Sequence, residues 1–154
     1  MPEGAQLDEF QDSCLEAHNR VREAHGAVPL RWSEDVAAQA ASWAQNLAEK
    51  GYRQHSENQL LGESIHISTM DDDVSGDGLV DIWKRETDYF DFDKPRWQKG
   101  TERFTQMIWK SSAEIGIAKV KMVNTERFVT VVNYRPPGNS NRPNDFKKNV
   151  LPKQ

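Results

Sequence analysis

The sequence predicts an α/β domain in which about four helices surround a small antiparallel sheet. Three observations support this prediction. Apolar residues recur at helical spacing in four segments, two β-rich segments are separated by a short turn, and 154 residues suffice for one domain with its own core. Helices before and after a short sheet favour an α/β/α sandwich. We expect a single domain over residues 1–154, with a core in residues 7–139 and an irregular tail in residues 140–154.

The first two helices have apolar stripes and recognisable ends. Residues 7–25 carry apolar side chains three and four positions apart, and Gly26 suits the position just after a helix end. Cys14 lies on this stripe, so we expect a buried, unreactive thiol. Ser33 is a suitable cap for the second helix, which we expect to end at Gly51.

Two shorter helices follow an acidic segment. Residues 70–78 contain three consecutive aspartates and two glycines, which predicts an exposed loop; the ligand spacing of an EF-hand calcium loop is missing. A third helix is expected over residues 79–89, with Leu79 and Trp83 directed inward. A fourth helix begins near Thr101, which we expect to cap it.

The strands are predicted from alternation and from β-branched and aromatic residues. Residues 115–122 alternate in side-chain character, and residues 127–134 are rich in Val, Phe and Thr. The three residues 124–126 between them form a turn, which predicts an antiparallel hairpin. A further strand is expected around Ile65 and Ile67.

The composition argues against several protein classes. A formal net charge of -4 gives no basic footprint for phosphate backbones, so we expect no nucleic-acid partner. The single cysteine excludes an intrachain disulfide, which is typical of a reducing compartment. The sequence as written shows no signal-peptide h-region and no apolar run near the about 20 residues that span a bilayer. We therefore expect a cytoplasmic protein whose contact with any membrane is peripheral.

Two charged residues do not fit a pure packing account. Glu86 lies beside the apolar stripe of the third helix, where an unpaired buried carboxylate is costly. Arg103 lies in the first turn of the fourth helix, where a cation opposes the helix dipole. Either the two residues have partners in a cleft, or Glu86 reaches solvent and Arg103 is an ordinary surface residue.

Five short motifs resemble one protein family. They occur in family order and together cover residues 10–139. The motifs are Ala17-His18-Asn19-Arg20-Val21-Arg22, His55-Ser56, Gly62-Glu63-Ser64-Ile65, residues 102–112 with Arg103-Phe104-Thr105 and Trp109, and Asn133-Tyr134-Arg135-Pro136-Pro137-Gly138-Asn139. This pattern is similar to that of the CAP superfamily of cysteine-rich secretory, antigen-five and pathogenesis-related proteins, and most closely to its Golgi-associated plant pathogenesis-related subgroup. The resemblance to this subgroup implies that any membrane contact would be at the Golgi or other membranes.

The resemblance implies a CAP-type sandwich with a central cleft. By position the cleft residues are His55, Glu63, Glu86 and Arg103, where relatives commonly present two His and two Glu. An arginine has no lone pair for a metal ion, so we expect no metal and no other cofactor. Our hypothesis is that the Arg103 guanidinium bridges Glu63 and Glu86 by charge-assisted hydrogen bonds, in the space that a divalent cation would take.

The resemblance also suggests lipid or sterol binding. Phe90, Phe92 and Trp97 fit an aromatic-x-aromatic-x4-aromatic pattern, which sterol-binding CAP proteins place in a loop after the third helix. Packing offers an equal account, in which Phe90 closes the core and Trp97 packs beneath the loop.

Two other function classes stay open beside lipid binding. The same aromatic pattern resembles a caveolin-binding motif, which suggests docking on membrane-bound protein partners or self-association as a homodimer. A hydrolase or protease would use His55 as a base oriented by Glu63, but the sequence offers no convincing nucleophile and no Gly-x-Ser-x-Gly elbow. We therefore expect a non-enzymatic intracellular protein without a catalytic residue.

Overall fold

Helices and strands follow one another closely along the chain. The computed structural model describes residues 6–69 and 73–154, so most of the predicted acidic loop is covered but residues 70–72 lie outside the described residues. The elements are α1 (Glu9–Ala24), β1 (Arg31–Trp32), α2 (Glu34–Lys50), β2 (Gly62–Ile67), α3 (Gly76–Lys84), a 3-10 helix (Arg85–Tyr89), α4 (Glu102–Ile108), β3 (Glu114–Lys121), β4 (Phe128–Arg135) and α5 (Asp145–Asn149).

The described strands form one sheet in the order β1-β3-β4-β2. The predicted hairpin is confirmed: β3 and β4 pair antiparallel, with Ile115 opposite Tyr134. β2 extends the sheet on the other side of β4, also antiparallel. β1 was not predicted and pairs parallel to β3, which makes the sheet mixed rather than purely antiparallel. Two residues are too few for alternation to be recognised in a sequence.

Helices cover both faces of the sheet, which confirms the α/β/α sandwich. On one face α2 packs its alanines and Leu47 against Ile65, Val129 and Val131. On the other face α1, α3 and α4 surround Ile115, Ile117, Val132 and Tyr134. Neighbouring strand residues therefore alternate between two separate cores. No helix in the ranges that the model covers is both long and apolar enough to cross a membrane.

A glycine in β3 sets the distance between α2 and the sheet. A Cβ atom on Gly116 would lie 2.1 Å from the backbone nitrogen of Ala37. Any larger residue would therefore push the helix away from the strand.

The helix starts differ from prediction at α1 and α3. α1 begins after a capping box in which Asp8 and Gln11 exchange hydrogen bonds. α3 begins at Gly76 because the Ser75 hydroxyl accepts from the Gly78 amide, so three residues assigned to the loop are helical. The predicted helix over residues 79–89 is also not continuous, since it tightens into a 3-10 helix at Arg85.

The tail is more ordered than predicted. Residues 145–149 form α5, and Phe146 and Val150 are part of the core beside Trp109. The backbone amide of Gln154 donates to the Ala24 carbonyl at the end of α1. Pro, Asn and Lys dominate the tail and conceal its two apolar anchors, so the short helix α5 was not predicted.

A buried arginine of α1 has hydrogen-bond acceptors for each of its three nitrogens. The Arg22 guanidinium is buried and donates to the carbonyls of Val28, Met107, Trp109 and Ser112 at 2.8–3.0 Å. One side chain therefore joins α1 to both ends of the α4–β3 connection.

A buried histidine and cysteine lie one turn apart on α1. His18 Nδ1 lies 2.8 Å from the Cys14 carbonyl, so this nitrogen donates, and His18 Nε2 accepts from the Tyr134 hydroxyl at 2.7 Å. Burial raises the pKa of Cys14 to about 12, with a smaller contribution from Asp77. The predicted burial of this thiol is therefore confirmed, and its raised pKa agrees with the expected low reactivity.

We predict that His18 makes the fold sensitive to acid. Burial lowers the pKa of His18 to about 4 from an ordinary 6.5. Between pH 6.5 and about pH 4, His18 is protonated in the unfolded chain but neutral in the folded chain. The free energy of unfolding therefore falls as the pH is lowered through this range. The free energy of unfolding of wild type, relative to that of His18→Gln, should fall by about 3 kcal/mol between pH 7 and pH 4. Urea unfolding of both proteins across this range measures the difference, and parallel pH curves would contradict the prediction.

Candidate functional site

The first half of the cleft is a carboxylate held by several donors. Glu63 is the second residue of β2 and its side chain is only 8% exposed, whereas His55 on the preceding loop is 57% exposed. Glu63 Oε1 accepts from His55 Nδ1 at 3.0 Å and from the Ser56 amide at 2.8 Å. Its Oε2 accepts from the Ser56 hydroxyl at 2.6 Å and from Asn133 Nδ2 at 3.4 Å.

These donors decide the charge of Glu63. Burial alone raises the pKa of this carboxyl, but the hydrogen bonds from His55, Ser56 and Asn133 together outweigh burial and lower it. Glu63 is therefore an anion at neutral pH, and it is committed to protein donors.

The second half of the cleft joins the 3-10 helix to α4. Glu86 Oε1 accepts from the backbone amides of Arg103 and Phe104 at 3.1 and 3.0 Å, and its Oε2 lies 2.5 Å from Arg103 Nε. Glu86 thus caps α4 and neutralises the cation in its first turn. Thr101 occupies the cap position but makes no capping bond, because its hydroxyl donates to the Gln98 carbonyl at 2.6 Å. The predicted cap was therefore wrong.

A buried glutamine sets the distance between the two halves. Gly62 precedes Glu63, and a Cβ atom there would lie 2.1 Å from the side-chain oxygen of Gln106, one turn along α4 from Arg103. Gln106 also accepts from the Gly138 amide at 2.9 Å and donates to the Ser112 hydroxyl. The start of β2 and the helix α4 are therefore in direct contact.

The four predicted residues form two pairs. Arg103 binds Glu86 and His55 binds Glu63, and within the described residues no hydrogen bond or ion pair joins Arg103 to Glu63. The hypothesised bridge between Glu63 and Glu86 is therefore wrong in one half, since Arg103 contacts Glu86 alone of the two. Each carboxylate is balanced by its own donors.

The donor set of the cleft does not fit a zinc ion. Zinc needs several lone-pair donors around one point. Arg103 supplies none, and both oxygens of Glu86 already accept N–H groups of α4. Among residues 6–69 and 73–154, no three His, Cys, Asp or Glu side chains group closely enough to hold a metal ion.

The hydroxyl of Ser56 is hydrogen-bonded to a carboxylate of the cleft. Ser56 donates its proton to Glu63 Oε2 rather than to His55, whose Nδ1 is engaged with the other oxygen of the same carboxylate. The serine therefore helps to position Glu63, and its contacts among the described residues do not form the Ser–His pair typical of a serine hydrolase.

Two of the three predicted lipid-binding aromatics belong to the core. Phe90 is buried, and Phe92 packs edge-on against both Phe90 and Phe104, with ring centroids 4.9 and 6.3 Å apart. Trp97 is 47% exposed and Tyr89 is 74% exposed. The packing account therefore holds for the two phenylalanines but not for Trp97.

Sequence reasoning missed two contributors to the site. Asn133 is buried, donates to Gly62 O and to Glu63, and its Oδ1 has no partner within the described part of the chain. Gln106 is also buried. Both lie within the quoted motifs, so a search for polar residues at core positions of β4 and α4 would have found them.

Known proteins match the chain in sequence. A family model described as CAP, the cysteine-rich secretory protein family, matches residues 15–134. The human Golgi-associated plant pathogenesis-related protein 1 is 30% identical over 145 residues, with 94% of each chain covered. Pathogenesis-related protein 1A of Nicotiana tabacum is 34% identical over 131 residues, covering 84% of this chain and 76% of the relative.

Solved structures share the fold. Schistosoma mansoni venom allergen-like protein 4 superposes with a TM-score of 0.72 at 19% identity, covering 89% of this chain and 94% of that one. A crystal structure of NaASP2 with Zn2+ gives a TM-score of 0.73 at 19% identity, covering 99% and 90%. The family model spans most of the chain and the fold agrees with it, so the chain belongs to the CAP, or cysteine-rich secretory protein, family.

Proposed function

We propose that the chain is a non-enzymatic CAP-domain binding protein in which a guanidinium–carboxylate pair takes the place of a metal ion. The single observation that supports this most directly is the contact of Arg103 with Glu86. Three N–H groups of α4 converge on one carboxylate, and the closest lies at 2.5 Å. A cation that displaced the guanidinium would meet a carboxylate whose other oxygen, Oε1, still accepts two backbone amides of α4.

The contacts of the two candidate nucleophiles, Ser56 and Cys14, support a role without catalysis. The Ser56 proton goes to Glu63, and the buried Cys14 has a pKa raised to about 12. A serine or cysteine hydrolase needs an activated nucleophile beside its base. The alternative hydrolase reading gains no support from these contacts.

The finer proposal is that an aromatic loop binds lipid or sterol at a membrane surface. Tyr89 ends the 3-10 helix, Trp97 lies on the segment that joins this helix to α4, and both are substantially exposed. Amphipathic rings of this type favour the boundary between water and lipid. Buried Phe90 and partly buried Phe92 anchor this segment to the core.

The proposed setting is the cytoplasmic surface of Golgi or other membranes. The similarity to a Golgi-associated human relative supports this setting, as does a domain with a single, buried cysteine. Docking of the same loop on a membrane-associated protein or on a second copy is the alternative outcome.

We predict that one substitution creates zinc affinity. Arg103→His removes the guanidinium and supplies an imidazole lone pair beside Glu86, while the backbone donors to Glu86 remain. Zinc at about 100 times its dissociation constant should stabilise this variant by about 2.7 kcal/mol, which raises the Tm by several degrees, and should leave wild type unchanged.

Arg103→Gln is the matched control, because it removes the same charge without adding a ligand. Thermal unfolding with and without zinc measures the effect. A zinc-dependent rise in the Tm of wild type that disappears in His55→Ala would refute the metal-free cleft.

We predict that Trp97 and Tyr89 carry sterol binding. Replacing either by Ala removes exposed aromatic surface and should weaken binding of a fluorescent sterol about 5- to 30-fold, equivalent to about 1–2 kcal/mol. Tyr52→Ala is the control, because Tyr52 is an equally exposed aromatic on a different loop. Failure of wild type to bind sterol, or an equal loss in Tyr52→Ala, would count against the lipid proposal.

A further inference from the structure

A polar groove lies where the carboxyl-terminal residues pass over α1 and α3. It consists of two adjoining cavities of about 440 and 240 Å³ that have four lining residues in common. The groove is distinct from the central cleft, since it contains none of the four cleft residues. The shared residues are His25, Asp81, Lys84 and Lys153.

The groove contains a buried histidine with one free nitrogen. His25 is only 2% exposed, and its Nδ1 lies 2.7 Å from the Leu151 carbonyl. A carbonyl can only accept, so Nδ1 carries the hydrogen and Nε2 carries the lone pair. Nε2 has no hydrogen-bond partner among the described residues.

Aromatic neighbours hold this imidazole in place. Phe92 stacks on it at 6.1 Å with an interplanar angle of 18°, and Phe104 meets it edge-on at 5.4 Å. Phe92 belongs to the motif that sequence analysis connected with lipid. Its observed contacts fix the orientation of a histidine instead.

Positive charge dominates at the imidazole. Burial lowers the pKa of His25 most, the bond to Leu151 opposes this, and the charges of Lys153 and Lys84 lower it further. Asp81 lines both cavities, and Asp88 lines one, but neither carboxylate is among the groups that shift His25.

The two lysines are free to bind a ligand. No ion pair within residues 6–69 and 73–154 joins Lys84 or Lys153 to a carboxylate. Arg85 adds a third cation to the larger cavity, and Asp77 in the smaller one accepts the Ser13 hydroxyl at 2.5 Å. Lys84 and Lys153 therefore line the same two cavities as His25, and no carboxylate of the described residues pairs with them.

We infer that this groove is a binding site for a phosphate that carries a proton, either hydrogen phosphate or the monoanion of a phosphate monoester. One ligand hydroxyl donates to His25 Nε2, and the charged oxygens accept from Lys84 and Lys153. Hydrogen phosphate has both a proton to give and anionic oxygens to receive. Sulfate and carboxylates at neutral pH lack the proton, so they match only the lysines.

The groove is separate from the metal-free cleft and from the exposed aromatics proposed to bind sterol. Its residues lie outside both sites, apart from Phe92, which contacts His25 from the loop side. Failure of either earlier proposal leaves the groove unaffected.

The test is titration of the full chain with inorganic phosphate, monitored by isothermal calorimetry or by amide chemical-shift changes in NMR spectra. Wild type should bind phosphate more tightly than sulfate. Lys84→Gln combined with Lys153→Gln should weaken phosphate binding by at least about tenfold, since two charge-assisted bonds are lost.

Lys147→Gln combined with Lys148→Gln is the matched control, because it removes the same charge from exposed positions on α5. This control should bind phosphate as wild type does. No saturable binding by wild type up to about 10 mM phosphate, or an equal loss in both double variants, would overturn the inference.

A second measurement identifies the source of the phosphate. Phosphatidylcholine vesicles with and without phosphatidate are sedimented with wild type and with the Lys84→Gln, Lys153→Gln protein. Phosphatidate-dependent sedimentation lost in that variant assigns the site to a lipid headgroup. Phosphate binding in solution without such sedimentation assigns it to a soluble phosphate ester.

Discussion

The carboxylate of Glu86 at the amino end of α4 is the contact on which the geometry of the cleft depends. The first amides of a helix need acceptors, and Thr101 directs its hydroxyl elsewhere. Glu86 meets this need from the 3-10 helix and so ties α3 to α4. The Arg103 guanidinium joins the same carboxylate, so a cation in an unfavourable helix position becomes part of a neutral pair.

The two acidic residues of the cleft are stabilised by different means. Glu86 is held by a helix end and a guanidinium, whereas Glu63 is held by an imidazole, a hydroxyl, an amide and an asparagine. Because each is balanced separately, the cleft needs no shared cation between them. An arginine at position 103 is therefore compatible with the family's fold.

Periodicity made the sandwich, the hairpin and the buried thiol predictable. Periodicity did not predict β1 and α5, because two or five residues are too few to display several repeats of a strand or helix pattern. The cleft residues were predicted through resemblance, but their pairing was not, since it depends on which hydroxyls and amides reach each carboxylate. Phe92 shows the same limit: its spacing is apparent in the sequence, whereas its stacking on His25 depends on the fold.

The docking of residues 150–154 on α1 has a consequence for local unfolding. Detachment of this segment would remove together Val150 from the core, the Leu151 carbonyl that fixes the His25 tautomer, and the backbone amide of Gln154 bound to Ala24. Opening of the segment is thereby coupled to the integrity of the first helix. Two segments remote in sequence would exchange their amide hydrogens together.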